Sequence, residues 1–330
     1  MVDDSIVAYL GEALLKLFCD FLESKLPIQV APVEYVCGMR IRKQADGSYT
    51  VDQTEYITKK AIRYECDGIK MRRHATPMDS NFEIESPRPM EVDKQLVSLA
   101  RELVGSLIYA TITRHDCKYA CSKLSSVVTN PTRNDIRAMK RVLRYLYITR
   151  DTTLTFRPGS WVGPNGVEHA PLELCVFVDA SFAKESGRHS QTGFALMLGG
   201  ASVHSKSGKQ TQVTDSTGYA ETIALHEAAN WAQVAARHLN LMFAPQPNPV
   251  VLYEDNSAAE TFFAKGPGPR SLHWDVKLYY IHGLRDQKII DVKHIDTKLQ
   301  IADVLTKPLP EADHLRLSAY LLGGPVVFDV

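Results

Sequence analysis

The second half of the chain predicts an α/β fold built on a mixed sheet, and three observations carry that prediction. LELCVFVDASF, PVVLYED and KIIDVKHI are rich in β-branched and aromatic residues and read as strands. TGFALMLGGASVHSK reads as a hairpin turning at Gly199-Gly200. Stretches with apolar residues three and four apart fall between the later strands and read as helices. The resulting order is β-β-β-α-β-α-β-α, a sheet that opens with an antiparallel meander.

The first half is organised differently. Residues 5–26 are amphipathic and predict a helix ending near Pro27. VEYVCGMRI and GSYTVDQTEY predict a strand pair joined by the turn KQADGS, with a helix following at 55–66. Residues 76–88 are polar and punctuated by proline, the pattern of a linker. From 93 to 150 the periodicity is helical, and Asn130-Pro131-Thr132 marks the start of its last helix. That helix carries Arg133, Arg137, Lys140, Arg141 and Arg144, with Arg150 just beyond, against one acid, Asp135. A basic face of this kind is either simply solvated or tracks phosphates. RPGSWVGPNG then breaks the chain before the first strand of the sheet. Within the second half, 216–243 predicts a long helix with Ala220, Ile223, Ala224, Ala228, Trp231 and Ala235 as its buried stripe. WDVKLYYIHGLRDQ predicts another helix, and TKLQIADVLTKPLP a short one stopped by proline.

Composition narrows the class. The 330 residues suffice for about two cores. Lys plus Arg equals Asp plus Glu at 38 each, so only local clustering could signal a nucleic-acid partner. The six cysteines lack CxxC spacing, and Cys117 and Cys121, four apart in a helical pattern, read as small core residues; a reducing, intracellular setting is expected, cytoplasmic or nuclear. No apolar run approaches the ~20 residues of a membrane span. No small-molecule cofactor is expected.

Four acids stand at telling positions. Asp179 lies toward the end of the first strand of the sheet, and Glu221 near the start of the long helix. Asp255 closes the fourth strand, and Asp303 sits in the last short helix. Each alone could cap an element or complement a helix dipole. On the carboxyl side of a sheet, together, they could form an oxygen-rich pocket suited to hard cations. Two such ions can activate water and stabilise the leaving oxygen of a phosphodiester.

The segments VFVDASFA, SKSGKQTQVTDSTGYAETIALHEA, YEDNSAA and IADVLTKPL resemble, in order, four motifs of the ribonuclease H domain of copia-type LTR retrotransposon Pol polyproteins. Those motifs typically read DADWA or DADFA, SSKKQ…SSTEAEY, CDNQSA and LADILTKPL. The resemblance implies a ribonuclease H-like mixed five-stranded sheet with helices. It also implies a two-ion Mg²⁺ or Mn²⁺ site on Asp179, Glu221, Asp255 and Asp303, and an RNA–DNA hybrid as substrate. Departures include Gly218-Tyr219 for Thr-Glu, Glu254 for Cys, His204 for Trp and His115 for Pro in an RPD triplet. Upstream, LVGSLIYATITRHDCKYACSKLSS and NPTRNDIRAMKRVLRYL resemble the segment between polymerase and nuclease. YVCGMRI, VDQTEYI and ATPMD resemble the end of the reverse transcriptase.

The expected organisation is therefore a truncated reverse transcriptase palm remnant over 1–75, a linker and helical thumb- or connection-like region over 76–160, the ribonuclease H domain over 161–310 and a C-terminal tail over 311–330. Asp3 and Asp4 fall where the palm carries YVDD. The resemblance implies that the rest of that site belongs to upstream polyprotein, a candidate partner, so polymerisation by this stretch alone is not expected. The competing reading is a non-catalytic retroelement relic that at most holds nucleic acid. His294, nine residues before Asp303, and His273 are expected to be structural.

Overall fold

The computed structural model describes residue 7 and residues 11–31, 33–68, 75–86, 88–184, 186–246, 248–256 and 275–329. Asp3, Asp4 and His273 lie outside them. Helix α1 (Glu12–Glu23) buries none of its side chains, and Leu14, Leu17 and Phe21 stand open to solvent. The first predicted strand, VEYVCGMRI, is instead a hairpin, β1 (Tyr35–Val36) turning at Cys37-Gly38 into β2 (Met39–Lys43), and β2 pairs across the predicted turn with β3 (Tyr49–Asp52). Asp46 shapes the turn by accepting from the Ser48 amide at 2.9 Å. Helix α2 (Thr54–Arg63) follows, started by Asp52, which accepts from the Thr54 amide.

Residues 76–86 hold neither helix nor strand. The helical region is α3 (Lys94–Ala110), a 3-10 turn at His115–Cys117, α4 (Lys118–Ser125) and α5 (Arg133–Ile148). The start signal at 130–132 acts as a capping box: Thr132 accepts from the Asp135 amide, and Asp135 accepts from that of Thr132. Leu103, Leu107, Leu124, Met139, Val142 and Leu146 form the core, with Cys117 and Cys121 buried among them as small apolar residues. The chain then returns to the first sheet, where β4 (Leu154–Phe156) pairs antiparallel with β3. The Pro/Gly-rich break holds a short hairpin the sequence did not announce, β5 (Trp161–Val162) with β6 (Glu168–His169), its indole stacked on the His169 ring.

The second sheet is the expected mixed five-stranded one: β7 (Cys175–Ser181), β8 (Gln191–Leu198), β9 (Ala201–Lys209), β10 (Val250–Glu254) and β11 (Ile290–His294), in the order β11-β10-β7-β8-β9. The first three form the expected meander, turning at Gly199-Gly200, where both residues take positive φ (58° and 82°). β10 runs parallel to both β7 and β11. Helices α6 (Thr217–Leu241) and α7 (Asp275–Asp286) cover one face over Val176, Val178 and Leu252. The other face, with Cys175, Phe177 and Tyr253, packs against Leu305, Leu317 and Leu321.

Three local expectations change. The buried side of α6 is Ala220, Ala224, Leu225, Ala228, Ala229 and Ala232, while Ile223 and Ala235 are only half-buried and Trp231 is exposed. Small side chains let the helix lie close on the sheet, and the bulky Trp231 is left in a tilted contact with His204 at the margin, ring centroids 4.2 Å apart. The short helix expected around 303 is two 3-10 turns, Thr297–Leu299 and Ile301–Leu305. The stretch expected to be a tail contains α8 (Glu311–Leu322), whose Leu317, Leu321 and Leu322 are buried.

Candidate active site

Parallel pairing of β7 with β10 delivers the carboxyl ends of both strands to one end of the sheet. Every residue of β7 is buried, and Asp179 follows Cys175 and Phe177 by strand alternation onto the face covered by the second 3-10 turn. Asp255 comes directly after β10, and Asp303 lies in the turn itself. One carboxylate oxygen from each of Asp179, Asp255 and Asp303 lies within 4.8 Å of the others. Glu221, on the second turn of α6, is 3% exposed, and its Oε2 has no hydrogen-bond partner. Asp179, Glu254 and Asp255 are near enough to act on its charge, but Glu221 is not among the three acids whose oxygens converge.

Residues without an obvious sequence signal hold this arrangement. Asp179 pairs across the sheet with Gly193, where an added Cβ would sit 2.5 Å from Thr306 Cγ2 and 2.9 Å from Leu305 Cβ. Glycine there admits the 3-10 turn, and Thr306 donates its hydroxyl to Asp179 Oδ2. Gln300, fully buried, donates from Nε2 to the Val178 carbonyl at 2.9 Å and accepts from the Ala302 amide at 3.2 Å. It ties the Asp303 turn to β7, and its capping bond helps explain why this stretch coils as separate short turns. Gln210 donates to Thr192 Oγ1 and to the Ala220 carbonyl, fixing the start of α6 beside Glu221.

The electrostatics are those of an acid cluster short of positive charge. Burial first, then Asp179, pushes the Asp303 carboxyl up to about 7, against the pull of Lys307. Burial raises Asp179 as well, opposed by Lys307 and Thr306. Glu221 is driven well above the carboxylate range by burial and then by Asp179. Glu254, the departure noted beside Asp255, is 2% exposed and pushed up to about 9 by burial, with Asp255 and Asp179 adding to the shift. An all-oxygen donor set of this charge, with a buried orphan oxygen on Glu221, fits a hard divalent cation.

The basic residues of α5 divide. Arg133 and Arg137 are exposed, whereas Lys140, Arg141 and Arg144 are half-buried. Arg141 is spent on an ion pair with Asp79 and contacts to Thr76. His294 ends β11 as an exposed side chain.

No family model matches the chain. It is 28% identical over 327 residues to the retrovirus-related Pol polyprotein from transposon RE2 of Arabidopsis thaliana, which covers 93% of this chain and 20% of that protein. It is 30% identical over 312 residues to the Pol polyprotein from transposon RE1 of the same plant, again 93% and 20%. To that from transposon TNT 1-94 of Nicotiana tabacum it is 27% identical over 317 residues, 94% and 23%. This chain is a relative of transposon Pol polyproteins. It spans about a fifth of their length. Among solved structures, this Pol relative is similar to LC11-RNase H1 isolated from compost, at 17% identity and TM-score 0.33, over 41% of this chain and 92% of that one. It is also similar to a foamy viral protease–reverse transcriptase in complex with double-stranded DNA, at 12% identity and TM-score 0.36, over 78% and 38%.

Proposed function

We propose that this Pol relative is a metal-dependent ribonuclease H that cuts the RNA strand of RNA–DNA hybrids. The observation that carries the reading is the meeting of Asp179, Asp255 and Asp303, from three separate segments, at one end of the sheet. Glu221, buried at the start of α6 with one oxygen unpartnered and with Asp179 among the causes of its raised carboxyl, is assigned to the same site. In this reading the four acids hold Mg²⁺ or Mn²⁺ as a two-ion site. A bound ion would supply an activated water and neutralise charge on the scissile phosphate. The chain's own contribution is alignment. Thr306 fixes one oxygen of Asp179, Gln300 locks the Asp303 turn onto β7, and Gly193 sets their separation. Contacts to 2′-hydroxyls would select the RNA strand.

The test is cleavage of a labelled RNA–DNA hybrid with and without Mg²⁺ or Mn²⁺. Cleavage should require metal and collapse in Asp179→Asn and Asp255→Asn; a folded variant of either kind cutting at the parental rate would remove these acids from the site. The domain assignments given above belong to the same proposal. For hybrid binding, Arg133 and Arg137 are the exposed phosphate contacts of α5. Replacing both should flatten the log–log salt slope by nearly two units, at about 0.9 per contact. An unchanged slope makes that face merely solvated.

A further inference from the structure

Resting on the metal-site reading above, we propose that the Lys307 ammonium is the resident counter-ion of the acid cluster and must leave it when a divalent cation enters. Lys307 Nζ lies 2.7 Å from Asp303 Oδ1 and 3.9 Å from Asp179 Oδ2, so it bridges two of the three aspartates whose oxygens converge. Its backbone is held on both sides. Leu305 and Thr306 are buried against β7 and β8, and Pro308 follows directly. The side chain is nonetheless 29% exposed, and its four-carbon stem gives the charged end a path to solvent.

The physical argument is competition for the same oxygens. Carboxylates this close repel one another in a half-dry pocket, and one fixed positive charge relieves part of that cost. A divalent cation needs those oxygens as ligands and repels an ammonium at the same place. The two cations therefore exclude each other, and the lysine weakens metal binding while supporting the metal-free fold. An ordinary i,i+4 surface pair between Asp303 and Lys307 would hold the turn together and leave metal affinity unchanged.

The test is Mn²⁺ binding to the full chain by calorimetry at pH 8, comparing the parent with Lys307→Met and Lys307→Arg. Lys307→Met should bind Mn²⁺ at least about tenfold more tightly, because a like charge within a few ångströms is gone. Lys307→Arg, which keeps the charge, should return to the parent's weaker binding. In the parent chain, acylation at Lys307 read by mass spectrometry should rise when Mn²⁺ is added, and this measurement decides alone if Lys307→Met does not fold. Equal or weaker Mn²⁺ binding by folded Lys307→Met overturns the inference and leaves the metal site standing, as does Lys307 labelling that is flat or falls. A parent chain that binds no Mn²⁺ overturns the metal site, and this inference with it.

Discussion

Arg114 and Asp116 in the helical region and the acids at the end of the second sheet are both buried charge, arranged in opposite ways. Arg114 and Asp116 are each 1% exposed and answer one another twice, Nε to Oδ1 at 3.0 Å and Nη2 to Oδ2 at 2.7 Å. The remaining guanidinium nitrogen donates to the Thr149 carbonyl, and the Tyr145 hydroxyl donates to Asp116. Burial works against both charges, yet each partner holds the other ionised. At the sheet end, by contrast, four acids and Glu254 crowd together, and Lys307 is the cation that bridges two of them. The first arrangement is complete within the chain. The second is costly to the fold as it stands, and such a cost persists where something outside the chain makes use of it.

The sharpest contrast is between activity and stability. Asp179→Asn should lower hybrid cleavage by roughly a thousandfold or more while the metal-free melting temperature holds or rises, since one repelling charge is gone. Arg114→Met should do the reverse to the fold. Leaving Asp116 charged and buried costs about 3–5 kcal/mol in denaturant melts, and Arg114→Met with Asp116→Leu should recover much of it. Gly193→Ala touches both properties. Its Cβ would press on Thr306 and Leu305, so a loss of about 1–3 kcal/mol should accompany weaker Mn²⁺ binding.

The smallest effect is acid sensitivity of the completed cluster. His314 Nε2 lies 3.1 Å from the Tyr145 hydroxyl, with Asp116 and Arg114 beyond, and burial pushes the imidazole down to about 4. A depressed histidine contributes stability that is whole above its ordinary value of 6.5 and is lost as pH falls toward 4. Between pH 6.5 and 5 melts should lose about 1–2 kcal/mol through this residue, and His314→Asn should flatten the decline.

Much of this was legible because it rests on local pattern. β-Branched and aromatic content marked β7 and β10, the paired glycines marked the β8–β9 turn, and the Thr132 cap marked α5. The four acids were singled out through short motifs around them, and three of them, Asp179, Asp255 and Asp303, lie together. What escaped acts at a distance or through backbone. Gly193 matters for the Cβ it lacks, against a segment more than a hundred residues later. Gln300 works by reaching the carbonyl of Val178. Lys307, inside the IADVLTKPL motif, had no role assigned from sequence, and its ammonium lies between two aspartates. Helix α8 was missed although Leu317, Leu321 and Leu322 are apolar, because their role as a buried face follows only from the sheet they cover.

Among the described residues, the last strand of the second sheet, β9, has no strand beyond it. Edges of that kind recruit foreign strands and seed aggregates unless something blocks them. Here α4 packs against β9, and the Lys118 ammonium occupies the Ser205 carbonyl on it. Burial lowers Lys118 to about 8, a cost accepted at a position whose neighbour is a sheet border. The helical region thus serves as a guard on the second sheet. A clone of the sheet alone would gain simplicity and lose that guard, and the natural unit for expression is the one that keeps α4 in place.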